Sequence, residues 1–254
     1  QFQREQGTIK PPGDAYAMHP GYLSSPKSLT AINWLSDHGA LLYTISEHAL
    51  LSGDAAFTEK WLPTILRACD FIRDARRLPH GGIKGLMPPA VATDRGTQIQ
   101  AVWNDGWSYK GLTTAVRLLE RVGHPRAVEL RDEANQYRAV FQRALRERWQ
   151  TAPTWKDDAG QIHHLVPTAL AGDTPDEVRH AFYLDTGPLF LVFAGLLDAD
   201  DPMMRSTLAW FRSGPPTKVY REDGNCFQTA SIRHEMSRCE PCYSWNVWHS
   251  WRLG

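Results

Sequence analysis

Apolar residues recur at helical spacing along the chain, in pairs of stretches separated by a short turn. The first pair covers residues 28–51 and 54–76, and Gly53 between them is a typical helix stop. The first stretch is the more continuously apolar, whereas the second has one apolar face and one face of Arg and Asp. We therefore predict a helical hairpin with an inner first helix and an outer second helix.

The same pattern recurs further along the chain. Residues 105–122 and 127–149 form a second pair, and residues 177–197 and 202–211 form a third. A fourth inner helix is predicted to begin near Tyr243. Each hairpin must bury its apolar face against its neighbours, so repetition of the unit predicts an all-α protein of the (α/α)-toroid, six-hairpin barrel type.

Long segments rich in Gly and Pro separate the predicted hairpins. Residues 80–103 and 212–241 are two of them, and residues 151–176 include a predicted short β-hairpin turn. Residues 1–27 are expected to be extended, because four prolines preclude a long helix there. Three hairpins and the start of a fourth do not close a six-hairpin barrel. We therefore expect residues 1–254 to be a single catalytic toroid domain that is truncated at both ends.

Composition narrows the possible partners. Lys plus Arg and Asp plus Glu each number 28, so no excess positive charge indicates nucleic acid or an anionic membrane surface. The sequence has no secretory signal and no run of about 20 apolar residues. Ten Trp and eight Tyr are a large aromatic content, which serves both to fill a core and to stack on ring faces. Compartment and oligomeric state are left open.

Four cysteines are too few and too unevenly spaced for a disulfide framework. Cys239 and Cys242 have the spacing of a metal or redox pair, and His234 or His249 would add a ligand. A zinc site needs a second close pair, which is absent from this stretch of sequence, so no metal is predicted. The chain also lacks a P-loop, a dinucleotide fingerprint and a GxSxG elbow, so no cofactor is predicted.

Three stretches resemble a known group of enzymes: SEHALLSGDAAFTEKWLPTILRACDFI, GLMPPAVATD and WNDGWSYKGL. They are similar to bacterial (α/α)6-toroid glycosidases, the group that includes trehalase-like, glucoamylase-like and rhamnosidase-like enzymes. The resemblance covers residues 28–150. It implies a carbohydrate substrate, hydrolysis of a glycosidic bond, and a substrate funnel at the N-terminal ends of the inner helices.

Glycoside hydrolysis requires one protonated and one ionised carboxyl group. Asp105 is the predicted general acid, because Trp103 and Trp107 on either side would remove it from water and raise its pKa. The nearby helix N-terminus favours the ionised form, and the alternative is that Asp105 simply caps its helix.

Glu240 is the second predicted catalytic residue, because it lies just before the fourth inner helix and would face the same funnel. Its alternative role is an exposed loop carboxylate. Asp37 repeats the position of Asp105 but has no Gly-rich loop before it, and Glu47 is expected to be packed or paired. The predicted substrate-binding residues are Asp94, Arg95, Trp103, Asn104, Trp107, Asp185, Tyr243 and Trp245.

Three other functions remain open. A polysaccharide lyase on the same toroid would use Tyr243 or His234 as base, with Arg233 and Asn104 neutralising a uronate carboxylate. An unsaturated-glucuronyl hydrolase would instead use Asp to hydrate a vinyl ether. A non-catalytic scaffold would bind a glycan or protein on its concave face, although the aromatic and acidic residues concentrate in the loops rather than on the outer helices.

Overall fold

The computed structural model describes residues 1–24, 33–92, 98–152, 154–164, 166–171, 187–213 and 244–254, with the backbone alone at 211–213, 244 and 246. The chain divides into two compact units, Gln1–Phe141 and Gln142–Gly254. The described residues are mostly helical with a few short strands, in agreement with the predicted all-α class. Closure into a toroid and a single catalytic domain stay predictions.

The first unit contains most of the helical structure. Its elements are α1 (Phe2–Glu5), α2 (Ser36–Ser52), α3 (Ala55–Ala75), β1 (Ala90–Val91), β2 (Gln98–Ala101), α4 (Val102–Arg121) and the first part of α5 (Ala127–Gln150). Strands β1 and β2 pair antiparallel, with Ala90 opposite Ile99. This strand pair lies in the segment that the sequence indicated only as an irregular loop.

The second unit contains the end of α5 and shorter elements. They are β3 (Thr154–Lys156), β4 (Ile162–His164), β5 (Ala169–Ala171), α6 (Phe190–Ala194), α7 (Pro202–Ser213) and α8 (Ser244–Leu253). Strands β3 and β4 form the predicted hairpin, with Trp155 opposite His163. Helix α8 begins where the fourth inner helix was expected.

Local sequence explains where the helices begin and end. The Asp54 side chain accepts a hydrogen bond from Phe57 N at 3.0 Å, which caps α3. Gly53 ends α2 in the left-handed conformation at φ 65°, which costs glycine little. Helix α4 begins at Val102, three residues before the predicted start, directly after β2.

Helices α2 and α4 approach each other closely at two glycines. A Cβ atom on Gly39 would lie 2.2 Å from the backbone carbon of Trp107, and one on Gly111 would lie 2.6 Å from Gly39 O. Leu42 is fully buried at this contact. The glycines therefore let the two inner helices pack backbone against backbone.

The outer helices α3 and α5 are joined by charged side chains. Arg126, the residue before α5, pairs with Asp70 of α3 at 2.6 Å, and Arg73 of α3 pairs with Glu129 of α5 at 3.4 Å. Arg76 forms a buried ion pair with Glu133. A buried pair is costly to break because the remaining charge has no partner, so it fixes the position of α5 against α3.

Replacing Gly39 with Ala should destabilise the protein by about 3 kcal/mol or more, because the new methyl group would overlap the α4 backbone. Gly81→Ala is the matched control, since a Cβ atom there would meet no atom within 4 Å. The free energy of unfolding of both variants would be measured by chemical denaturation. Equal stability of the two would contradict the close packing of α2 and α4.

Candidate functional site

A row of partly exposed aromatic side chains runs across α2 and α4. Trp103 and Trp107 lie one turn apart on α4 and meet edge to face, with ring centres 5.6 Å apart. Trp107 in turn contacts Tyr43 of α2 at 5.9 Å. All three rings are half-buried, so each presents part of its surface to solvent.

Charged groups border this aromatic row. The Lys110 ammonium lies 5.4 Å from the centre of the Tyr43 ring, and burial lowers the pKa of this lysine. Arg117 pairs with Glu47 at 3.4 Å, so Glu47 is paired as predicted. We call Tyr43, Glu47, Trp103, Trp107 and Lys110 the α2–α4 face. It combines ring surfaces with both signs of charge.

The N-terminal ends of α2 and α4 lie next to the same strand pair. Leu35 N, one residue before α2, donates a hydrogen bond to Val91 O of β1 at 3.0 Å. Strand β2 continues directly into α4 at Val102. The strand pair therefore brings both helix N-termini to one end of the unit.

Asp105 lies in the first turn of α4 and has no exposed surface. Its Oδ1 atom accepts a hydrogen bond from the Tyr137 hydroxyl at 2.6 Å and another from Met87 N at 3.0 Å. Its Oδ2 atom is buried without a hydrogen-bond partner. The carboxyl group thus joins α4 to α5 and to the segment before β1.

Burial raises the pKa of Asp105 to about 7, although the hydrogen bonds from Tyr137 and Met87 and the charge of Arg76 lower it. The Arg76 guanidinium lies 4.2 Å above the Tyr137 ring. Burial therefore favours the protonated form of this carboxyl. The sequence also predicted a raised pKa for Asp105. It attributed the shift to Trp103 and Trp107, whereas the carboxyl is buried against Met87 and Tyr137.

The environment of Asp105 differs from both sequence-based interpretations. Trp103 and Trp107 lie two residues away on either side, so they project about 200° around the helix from Asp105 and do not enclose it. Asp105 is not a helix cap either, because Ala101 holds that position. A general acid must lie within hydrogen-bond reach of the substrate oxygen, and a fully buried carboxyl does not. The described conformation argues against direct proton donation by Asp105.

Asn104 and Ser108 lie one turn apart on α4 and are buried, with Asn104 only 2% exposed. Neither amide atom of Asn104 has a hydrogen-bond partner, and the Ser108 hydroxyl has none. Each such group costs roughly 1–3 kcal/mol of folding free energy. In the described conformation Asn104 has almost no surface for the substrate contact predicted from the sequence.

The other predicted site residues are Trp245 of the second unit and five residues that the structure does not describe. Trp245 packs between Phe190 and Phe193 in the second unit, with ring centres 5.0 and 4.8 Å away. The remaining predicted residues lie outside the described residues: Asp94, Arg95, Asp185, Glu240 and Tyr243. Their roles stay predictions.

Sequence reasoning missed Tyr43, Lys110 and Tyr137. Tyr43 and Lys110 sit within helices that the sequence indicated only as inner elements, and Tyr137 lies on a predicted outer helix. Spacing along one helix gives no signal for a contact with another helix. The contact between Tyr137 and Asp105 spans 32 positions, so tertiary structure alone reveals it.

Within the described ranges, no three His, Cys, Asp or Glu side chains are grouped so as to hold a metal ion. Cys239, Cys242 and His234 lie outside those ranges. His249 is buried, and its Nε2 atom lies 2.7 Å from Ala199 O. None of the described helices is both long and apolar enough to cross a membrane.

The buried carboxyl should make folding stability depend on pH. Unfolded Asp105 ionises above about pH 3.8, whereas the folded protein keeps its proton until about pH 7. The stabilisation of wild type relative to Asp105→Asn is thus fully present below pH 3.8 and is lost as pH rises through 7. We expect the difference to change by on the order of 2–4 kcal/mol between pH 4 and pH 8, measured by denaturant unfolding.

Tyr137→Phe provides a second test of the same network. It removes a hydrogen bond that favours the ionised carboxylate, so the loss of stability attributable to Asp105 should move to higher pH.

A difference between wild type and Asp105→Asn that stays constant from pH 4 to pH 8 would show that Asp105 is ionised in the folded protein throughout.

Comparison with known proteins finds a weak structural likeness. No family model matches the chain, and no curated protein matches it. A solved structure named polysaccharide lyase is similar with 14% sequence identity and a TM-score of 0.40, over 85% of this chain and 59% of that chain. The chain therefore spans less than two thirds of the length of that lyase. A likeness at this TM-score does not indicate a shared function.

Proposed function

We propose that this chain is part of a glycoside hydrolase and that its α2–α4 face binds the sugar substrate. The observation that carries the proposal is the pair of half-buried tryptophans Trp103 and Trp107, which continues into Tyr43. A pyranose has an apolar C–H face and a rim of hydroxyl groups. Indole rings bordered by charged donors and acceptors match both parts.

Core packing is the simplest alternative explanation of these aromatic residues. Fully buried rings such as Tyr22 and Phe71 fill the core of the first unit. The rings of the α2–α4 face instead keep exposed surface beside Lys110 and the Arg117–Glu47 pair. Aromatic side chains that are half-exposed among charges are typical of binding surfaces rather than of cores.

Hydrolysis would require two carboxyl groups in contact with the substrate. Glu240 stays the predicted base. For Asp105 we propose a positioning role, since its carboxyl holds Met87 and Tyr137 against α4 beneath the α2–α4 face. Asp37 is a partly exposed carboxyl in the first turn of α2, at the end of the unit where the strand pair lies, and we propose that it contacts the substrate there.

Lyase chemistry is the second candidate, and Lys110 is the observation that favours it. A lyase must neutralise a uronate carboxylate before a proton is removed from the neighbouring carbon. Lys110 supplies a cation on the α2–α4 face beside Tyr43. Burial raises the pKa of Tyr43, so less of this tyrosine is ionised at neutral pH and available to remove a proton.

Incubation with a panel of plant, algal and bacterial oligosaccharides would separate the two reactions. We expect fragments that have gained one water molecule, detected by mass spectrometry. Fragments that absorb in the ultraviolet as unsaturated uronates would establish a lyase. Absence of any product from the whole panel would contradict the enzymatic proposal and favour a binding scaffold.

Trp107→Ala should raise KM for the cleaved oligosaccharide at least about tenfold, because loss of a stacking ring removes about 1.4 kcal/mol or more of binding. Trp61→Ala is the matched control, since Trp61 is a half-buried tryptophan on the outer helix α3, where it contacts Phe57 at 5.7 Å. Steady-state kinetics on both variants provide the measurement. An equal rise in KM would indicate a general loss of structure.

Asp105→Asn distinguishes a positioning role from general acid catalysis. An amide still accepts the hydrogen bonds of Tyr137 and Met87, so we expect kcat within about tenfold of wild type. Glu240→Gln should lower kcat by about 10²-fold or more, as removal of a catalytic base does. A comparable loss in Asp105→Asn would restore Asp105 as the general acid.

A further inference from the structure

The second unit contains a polar cavity of about 520 Å³ between the turn after α6, the start of α7 and the end of α8. Among the residues that line it are Trp248, Asp198, Asp200, Arg205 and Arg252. Its volume lies within the range of about 300–1,000 Å³ that is typical of small-ligand sites. The cavity shares no residue with the α2–α4 face.

The aromatic wall of the cavity is held in place. Trp248 is 37% exposed, and its ring contacts Phe193 at 5.5 Å and Trp251 at 5.1 Å. A supported ring that keeps exposed surface offers a platform for another flat apolar face at little entropic cost.

The polar side of the cavity is attached to the same elements. His249 of α8 is buried, and its Nε2 atom lies 2.7 Å from Ala199 O, which fixes α8 to the turn after α6. Arg205 Nε donates to Asp200 O at 3.3 Å and so ties α7 to that turn. The lining residues therefore come from three elements that are bonded to one another.

The charges of the cavity select the class of ligand. Two carboxylates and two guanidinium groups line it, so an anion would meet the aspartates and a cation would meet the arginines. A hydroxyl group instead donates to a carboxylate and accepts from a guanidinium group. A neutral ligand with many hydroxyl groups and one apolar ring face satisfies both the charges and the Trp248 platform.

We propose that this cavity is a second carbohydrate-binding site, which holds one or two neutral sugar units with a ring stacked on Trp248. Asp198, Asp200, Arg205 and Arg252 bind the hydroxyl groups. The site binds without catalysis and holds a glycan on the second unit. The proposal rests on the cavity itself and holds or fails independently of the α2–α4 face.

The test is binding of neutral tetrasaccharides of glucose, xylose and mannose to the full chain, by saturation-transfer NMR and titration calorimetry. We expect at least one to bind with a millimolar Kd, and Trp248→Ala to weaken that binding at least about tenfold. Trp248→Phe keeps a ring and should bind within about threefold of wild type. The loss caused by Trp248→Ala should be equally large when Trp107 is also replaced with Ala, which separates the cavity from the α2–α4 face.

Trp149→Ala is the matched control, because Trp149 is a half-buried tryptophan of the second unit that contacts His164 and does not line the cavity. It should bind within about threefold of wild type. Should Trp248→Ala fail to fold, Arg205→Gln and Asp200→Asn replace it, since both are exposed side chains on the polar side of the cavity.

Three results would overturn the proposal. The first is no binding of any neutral tetrasaccharide at about 10 mM. The second is an equal loss of binding in Trp248→Ala and Trp149→Ala, or a loss in Trp107→Ala alone. The third is tighter binding of tetragalacturonate than of every neutral tetrasaccharide, which would show that the cavity selects anions.

Discussion

The backbones of α2 and α4 touch where Gly39 and Gly111 meet, and the candidate site of the first unit depends on this contact. No other residue type fits, because a Cβ atom at either position would overlap the neighbouring backbone. The close approach brings Tyr43 of α2 within ring contact of Trp107 of α4. A wider helix separation would detach Tyr43 from the Trp103–Trp107 pair of α4.

Beneath this row, Asp105 links three parts of the first unit through one carboxyl group. It accepts hydrogen bonds from α5 and from the segment before β1, while remaining fully buried in α4. Burial of a carboxyl opposes its ionisation, which raises its pKa to about 7. A raised pKa is therefore a signature of catalysis only when the group is also accessible to substrate. Here the same burial that raises the pKa removes the carboxyl from the surface.

The two units place aromatic and charged residues differently. On the α2–α4 face the rings form a row along two long helices, with charges at its border. In the second unit a single supported ring, Trp248, lines a cavity together with carboxylates and guanidinium groups. Both arrangements offer an apolar ring surface next to hydrogen-bonding groups, which is the combination that a sugar requires.

The sequence by itself determined where α2 ends and α3 begins, because the cap at Asp54 and the stop at Gly53 are local properties of the chain. The spacing of Trp103 and Trp107 in the sequence also places both rings on one side of α4. Only the tertiary structure decided what contacts Asp105, since Met87 and Tyr137 come from other elements. Helical periodicity fixes the direction of a side chain relative to its own helix. What lies in that direction depends on how the other elements pack.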